Sequence, residues 1–200
     1  MKTKFLFTLT VICLSLWVFS CHKDDEDKTT TDTSERSVVV HSTDFESWHY
    51  FSFKTGAEVP QSEVGDYEAS KQKTNWDIAF HRGDIRTNSG ASGMGQGGAI
   101  KLNVKTIAEV VAIPETGFAT DESAKIMISM SADGYVEQSK NMVLADWYAS
   151  EGMPPTYVVN QHVYAIKTAD GTVAAVIFTD YTNEEGQGGH VSFSYRYPIQ

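Results

Sequence analysis

Met127, Met130, Met142 and Met153 lie close together in the chain, in a stretch that is otherwise largely polar. A thioether sulfur is a soft donor that can hold haem iron axially. The same side chain serves equally well as an adaptable filler of an apolar core. Met153 stands apart because Gly152 precedes it and Pro154-Pro155 follow, a setting that suits neither a helix nor a central strand and that can hold a side chain out in a loop. A second set with chemical potential is Asp77, His81 and Asp84. On a strand Asp77 and His81 would share one face, with Trp76, Ile78 and Phe80 turned to the core. Carboxylates and imidazole in that arrangement could bind metal or move protons. Arg82 and Arg86 are close enough in sequence to neutralise them, so a structural ion-pair network is the expectation. No Ser-His-Asp or Cys-His arrangement stands out, and His41, His49, His81, His162 and His190 show no metal-ligand spacing. An enzyme is not indicated.

Gly93-Met94-Gly95-Gln96-Gly97-Gly98 matches the dinucleotide fingerprint G-x-G-x-x-G letter for letter. That motif requires a helix whose N-terminus receives the pyrophosphate, whereas Ala99 to Val104 alternates like a strand, and no Gly-Lys-Ser/Thr follows. The glycines are better read as permitting a tight loop or the close approach of another backbone.

The elements that must carry these residues begin after an N-terminal segment of another kind. Lys2 and Lys4 precede an apolar run from Phe5 to Phe19, the plan of a secretory signal peptide over residues 1–20, too short for a bilayer span. Val18-Phe19-Ser20-Cys21 resembles a lipobox, which makes Cys21 the expected lipidation site and the lipid the expected hold on the membrane. Cys13 would leave with the signal, so no disulfide is available to the mature chain. Residues 21–36 are polar and largely acidic and read as a flexible tether. With Lys2 and Lys4 removed the formal charge passes from −10 to −12. That balance, without any cluster of Lys and Arg, excludes nucleic acid as a partner.

From residue 37 to 200 short β-prone runs alternate with turn residues, which predicts a single β-rich domain of the all-β class. Val38 to Val40, Trp48 to Phe53, Trp76 to Phe80, Gly98 to Val104, Lys125 to Met130 and His190 to Tyr197 read as strands. Asp133-Gly134 and Asp170-Gly171 are hairpin turns, since Asp-Gly tolerates positive φ. One segment departs from the pattern. Val143 with Trp147 and Leu144 with Tyr148 fall at helical spacing, predicting a short amphipathic helix near 139–150 capped by Ser139 or Asn141.

Trp48 to Phe53, Asn75 to Arg82, Gly95 to Ala99, Pro155-Thr156-Tyr157, Ala169-Asp170-Gly171 and Phe178 to Tyr181 occur in one order across Val38 to Pro198. In this the chain resembles the HmuY family of Bacteroidetes haem-binding lipoproteins. The resemblance implies an all-β fold shaped like a gripping hand. It also implies that haem, iron protoporphyrin IX, is captured at the cell surface by an outer-membrane lipoprotein and passed to a TonB-dependent outer-membrane receptor in iron acquisition, with host haemoproteins as a possible source. The best-known family member holds haem between two histidines on loops. Here Tyr135 follows Asp133-Gly134, and Ser150-Glu151-Gly152-Met153 contains no histidine. Met153 resembles the second ligand of relatives that use methionine, and Met142 is the expected first ligand, with Met130 and Met127 in reserve. The alternative is a surface lipoprotein module that keeps the fold but binds glycan or protein, for which Trp147 and Tyr148 could supply a stacking surface.

Overall fold

The computed structural model describes residues 34–199. The expected signal peptide, Cys21 and most of the expected tether lie outside the described residues. Two sheets carry the frame. The first has the order β1 (Arg36–His41), β13 (Gly188–Ile199), β12 (Val173–Thr182), β11 (Val163–Lys167) and β6 (Gly98–Lys101), all antiparallel. The second has the order β3 (Ala57–Val59), β2 (His49–Ser52), β4 (Ile78–His81) and β5 (Asp84–Thr87). Phe51, Phe53, Ile78 and Phe80 of the second sheet or its edge meet Phe178, Phe193 and Tyr195 of the first in one buried cluster. Their rings pack mostly edge-on, as in Phe51 against Phe193 at 5.4 Å between centroids.

Each sheet is covered on its outer face as well. Ile107 and Val110, in and after a 3-10 turn at Ile107–Glu109, pack on Val163, Ala165 and Ala175. Val64 of helix α1 (Gln61–Val64), together with Trp48, Tyr50, Trp76 and Ile126, covers the far side of β4, with Tyr67 of helix α2 (Tyr67–Ser70) packed alongside. This double cover corrects the simple alternation expected for Trp76 to His81. All four residues of β4 are buried, so the face shared by Asp77, Ala79 and His81 is not a solvent face.

The charges of this region also settle differently from the expected network. Asp77 is held by backbone N–H groups, Asp84 pairs with Lys140 at 2.7 Å, and among the described residues Arg86 has no carboxylate within ion-pair distance. Instead the buried Arg86 guanidinium lies among the rings of Trp48, Tyr50, Tyr67 and Trp76, all within 5.1 Å, and donates to the hydroxyls of Tyr50 and Ser70. A guanidinium is planar and weakly hydrated enough to be accommodated on aromatic faces.

Two hairpins extend from this frame. β7 (Glu122–Met127) pairs with β8 (Tyr135–Lys140), and β9 (Tyr148–Glu151) pairs with β10 (Thr156–Val159). The helix expected near 139–150 does not form. β8 runs to Lys140, turns span the next residues, and β9 begins at Tyr148. Tertiary contacts override the helical spacing here. Ser139 is buried against the hydroxyls of Tyr67 and Ser92, and Asn141 donates to Ala119 and to the buried Asp121. Leu144 and Trp147 enter the main core, so Trp147 is not the exposed aromatic that a stacking role requires. The expected cap survives in one respect, because Asn141 Oδ1 accepts from Val143 N–H at 3.1 Å.

Candidate functional site

A cavity of about 280 Å³ opens between the two hairpins. Its floor is the β4–β5 turn, with His81, Arg82, Gly83 and Asp84, and Phe45 closes one side. The β7–β8 hairpin contributes Met127 and Met130, while β9 and β10 contribute Tyr148, Ser150 and Tyr157, with Tyr181 of β12 behind them.

The aromatic wall is tightly built. Tyr148 and Tyr181 stack with ring centroids 4.4 Å apart, and Tyr157 meets Tyr181 edge-on at 4.8 Å. Trp147 supports Tyr148 from the core side and anchors by donating its indole N–H to the Gly83 carbonyl at 2.8 Å. Gly83 is required for this closeness, because a Cβ there would strike the Tyr148 ring. Burial pushes the hydroxyls of Tyr148 and Tyr181 above the ordinary phenol range, so both are neutral donors at physiological pH.

His81 is nearly fully buried and donates Nε2–H to the Phe45 carbonyl at 3.0 Å, and burial lowers its pKa, which keeps the imidazole neutral. Arg82 takes a positive φ of 52°, donates to the Thr43 carbonyl and lies over Phe45 at 4.4 Å. Asp84 is matched by Lys140. The lining is therefore mixed, a wall of tyrosine rings beside the polar β4–β5 turn, with the Arg82 cation at its edge and its one carboxylate, Asp84, already paired with Lys140.

The four methionines divide into three places. Met127 ends β7 opposite Tyr135, and Met130 lies in the turn beyond it, 85% exposed. Met153 is 94% exposed in the turn that closes β9 on β10, after the last pair Glu151 and Thr156. Met142 is half exposed and sits just past the pair Glu122 and Lys140, at the other end of the β7–β8 ladder from the turn. Met127 and Met130 line the cavity, whereas Met142 and Met153 are not among its lining residues. The reserves of the sequence reading are thus the methionines nearest the aromatic wall. Tyr157 and Tyr181, which build that wall, were legible only as parts of family motifs, and nothing in their spacing marked them as neighbours.

Asp77, His81 and Asp84 do not converge. His81 and Asp84 line this cavity, but Asp77 lines another of about 340 Å³ with Lys54, Asp170 and Tyr197, and both its oxygens accept backbone N–H groups from Phe53 and Ala169. Among the described residues no group of three or more His, Cys, Asp or Glu gathers as a metal site, and no helix is long and apolar enough to cross a membrane.

A family model described as HmuY protein matches residues 44–195. Among solved structures, a protein of Bacteroides vulgatus described as HmuY-like and haem-binding is 30% identical, with 84% of this chain and 94% of that one covered and a TM-score of 0.67. The apo HmuY analog of Tannerella forsythia is 25% identical, with 84% and 97% covered and a TM-score of 0.65. No match was found among curated protein sequences. Since the matched stretch covers most of the chain, with the four-stranded sheet and both hairpins that border the cavity, the chain belongs to the HmuY family.

Proposed function

We propose that this chain is a lipid-anchored haem-binding protein that takes up haem between its two hairpins and hands it to an outer-membrane receptor. The observation that supports this best is the pairing of an aromatic wall with thioethers carried on the turns of both flanking hairpins. The residues fit the group. A porphyrin needs a broad apolar face, soft or imidazole donors to iron, and a cation for its carboxylates. Here the tyrosines, the exposed Met130 and Met153, and Arg82 offer those three functions. The cavity is at the small end of ligand sites, so a porphyrin would extend out of it between the turns.

Met153 and Met130 would hold the iron. Met130 takes precedence over Met142 because it lies at the turn end of its hairpin, as Met153 does on the other, whereas Met142 lies at the opposite end of the β7–β8 ladder; Met130 also lines the cavity, which Met153 and Met142 do not. Two thioethers favour ferrous over ferric iron, since the soft donor suits the softer ion. Tyr148 and Tyr157 would lie along the ring, and Cys21 would carry the lipid that keeps the protein at the outer membrane. Membrane attachment through that lipid alone agrees with the absence of a spanning helix among the described residues.

Titration of the protein with haem, oxidised and dithionite-reduced, tests the reading. The expected result is a shifted Soret band, tighter binding in the reduced state, and loss of the six-coordinate spectrum in Met153→Ala and Met130→Ala while Met142→Ala retains it. Spectra unchanged in both Met153→Ala and Met130→Ala would sink the ligand assignment. A wild-type protein with no spectral change at all would overturn haem binding and leave the tyrosine wall as a stacking surface for a glycan or a protein partner.

A further inference from the structure

His41 and His190 face one another across β1 and β13, in register as a cross-strand pair, with their Nδ1 atoms 2.8 Å apart. Their rings stand nearly perpendicular, at 78°. His41 is exposed and His190 is half-buried, on the side of the sheet away from Val40 and Val191, which point into the core. Neither histidine lines the proposed haem cavity. At this separation one Nδ1 carries the hydrogen and the other offers its lone pair, so a single proton sits between two nitrogens aimed at nearly the same point.

We infer that this pair is a binding site for a divalent transition metal ion, Cu²⁺ or Ni²⁺ in preference to Zn²⁺, with water completing the coordination. Metal–imidazole bonds of about 2.0 Å place two nitrogens about 2.8 Å apart when they meet the ion at a right angle and about 3.3 Å apart at the tetrahedral angle. The observed 2.8 Å is close to the right-angle spacing of tetragonal Cu²⁺ and Ni²⁺ and short for tetrahedral Zn²⁺. Tilting the two exposed-side rings turns both lone pairs to a point beside the line between the nitrogens. The bridging proton moves, through solvent, from Nδ1 to Nε2 of the same ring. Both imidazoles remain neutral, no electron is transferred and no proton is released. The ladder from Arg36 with Tyr195 to His41 with His190 fixes the two backbones, so the pair is preorganised and binding orders only two side chains.

The test uses the purified full chain carrying Cys13→Ser, Cys21→Ser and His22→Ala, which removes the strong donors outside the described residues. Cu²⁺ is expected to bind at one equivalent, with electron spin-echo modulation from two imidazoles. His41→Ala and His190→Ala should each weaken binding at least tenfold, whereas His162→Ala should leave it intact, and Ni²⁺ should bind more tightly than Zn²⁺. Melting in the absence of metal confirms that the variants fold. Binding that survives both His41→Ala and His190→Ala, or a spectrum with one imidazole or none, would overturn the site. Zn²⁺ binding as tight as that of Ni²⁺ would overturn its geometry. The two-imidazole signature is read on the unsubstituted pair, so it decides the matter even if a variant is unstable.

Discussion

His49 is gripped by two carboxylates. Its Nε2 lies 3.2 Å from Asp44 and its Nδ1 3.6 Å from Glu58, which leaves both nitrogens facing acceptors. The hydrogen bond to Glu58 raises its pKa above the ordinary histidine value; burial opposes the shift and Asp44 reinforces it. The folded state therefore favours the protonated ring. Its contribution is complete below the unfolded value of about 6.5 and is lost as pH rises through the higher folded value. Because Asp44 and Glu58 are 45% and 44% exposed, water screens the pair and the effect stays below about 1 kcal/mol. Denaturant unfolding of wild type and His49→Gln should show a stability difference at pH 5.5 that shrinks by pH 8.5. A difference that grows with pH would contradict the assignment.

At the scale of elements, Asp77 ties the second sheet to the turn between β11 and β12. One oxygen accepts from Phe53 N–H at 2.8 Å and the other from Ala169 N–H at 3.0 Å. Asparagine offers one acceptor in place of two, so Asp77→Asn leaves one buried N–H facing an amide NH₂. A loss of about 1–3 kcal/mol is expected in denaturant unfolding, without change in any ligand bound between the hairpins. Elements of this kind were readable in advance where the local signal agreed with the global one. Val38 to Val40, Ile78 to Phe80 and His190 to Tyr197 are strands, with Trp76 and Asp77 falling just before β4, and both Asp-Gly pairs lie in turns that join adjacent strands. The helix at 139–150 misled because Leu144 and Trp147 are spaced for a helix but are drawn inward separately, by the core and by the Gly83 carbonyl. The cavity was less readable still. Phe45, His81, Met127, Tyr148 and Tyr181 come from five separate parts of the chain, and only the topology makes them neighbours. The tyrosines carry no periodic signature, while the methionines could be named as donors from their chemistry but not ranked without knowing which end of β8 faces the cavity.

The whole molecule divides into a frame and two outgrowths. Three buried clusters hold the two sheets and their covers together, and the turns at 128–134 and 152–155 lie beyond them. Ligand bound between the hairpins should therefore be felt locally. Hydrogen–deuterium exchange with and without haem is expected to slow at 128–134 and 148–157 and to stay unchanged in β11, β12 and β13. Slowing spread evenly over the five-stranded sheet would show that the frame itself takes part.

Met130 and Met153 are almost free of packing. Replacing either leaves no void in the interior and breaks no ladder, so, on the ligation proposed above, selection would be free to exchange the donor at each turn, thioether for imidazole or for a side chain that binds no metal, without renegotiating the fold. The kind of iron such a protein prefers, or whether it takes iron at all, is in that sense inherited separately from its architecture.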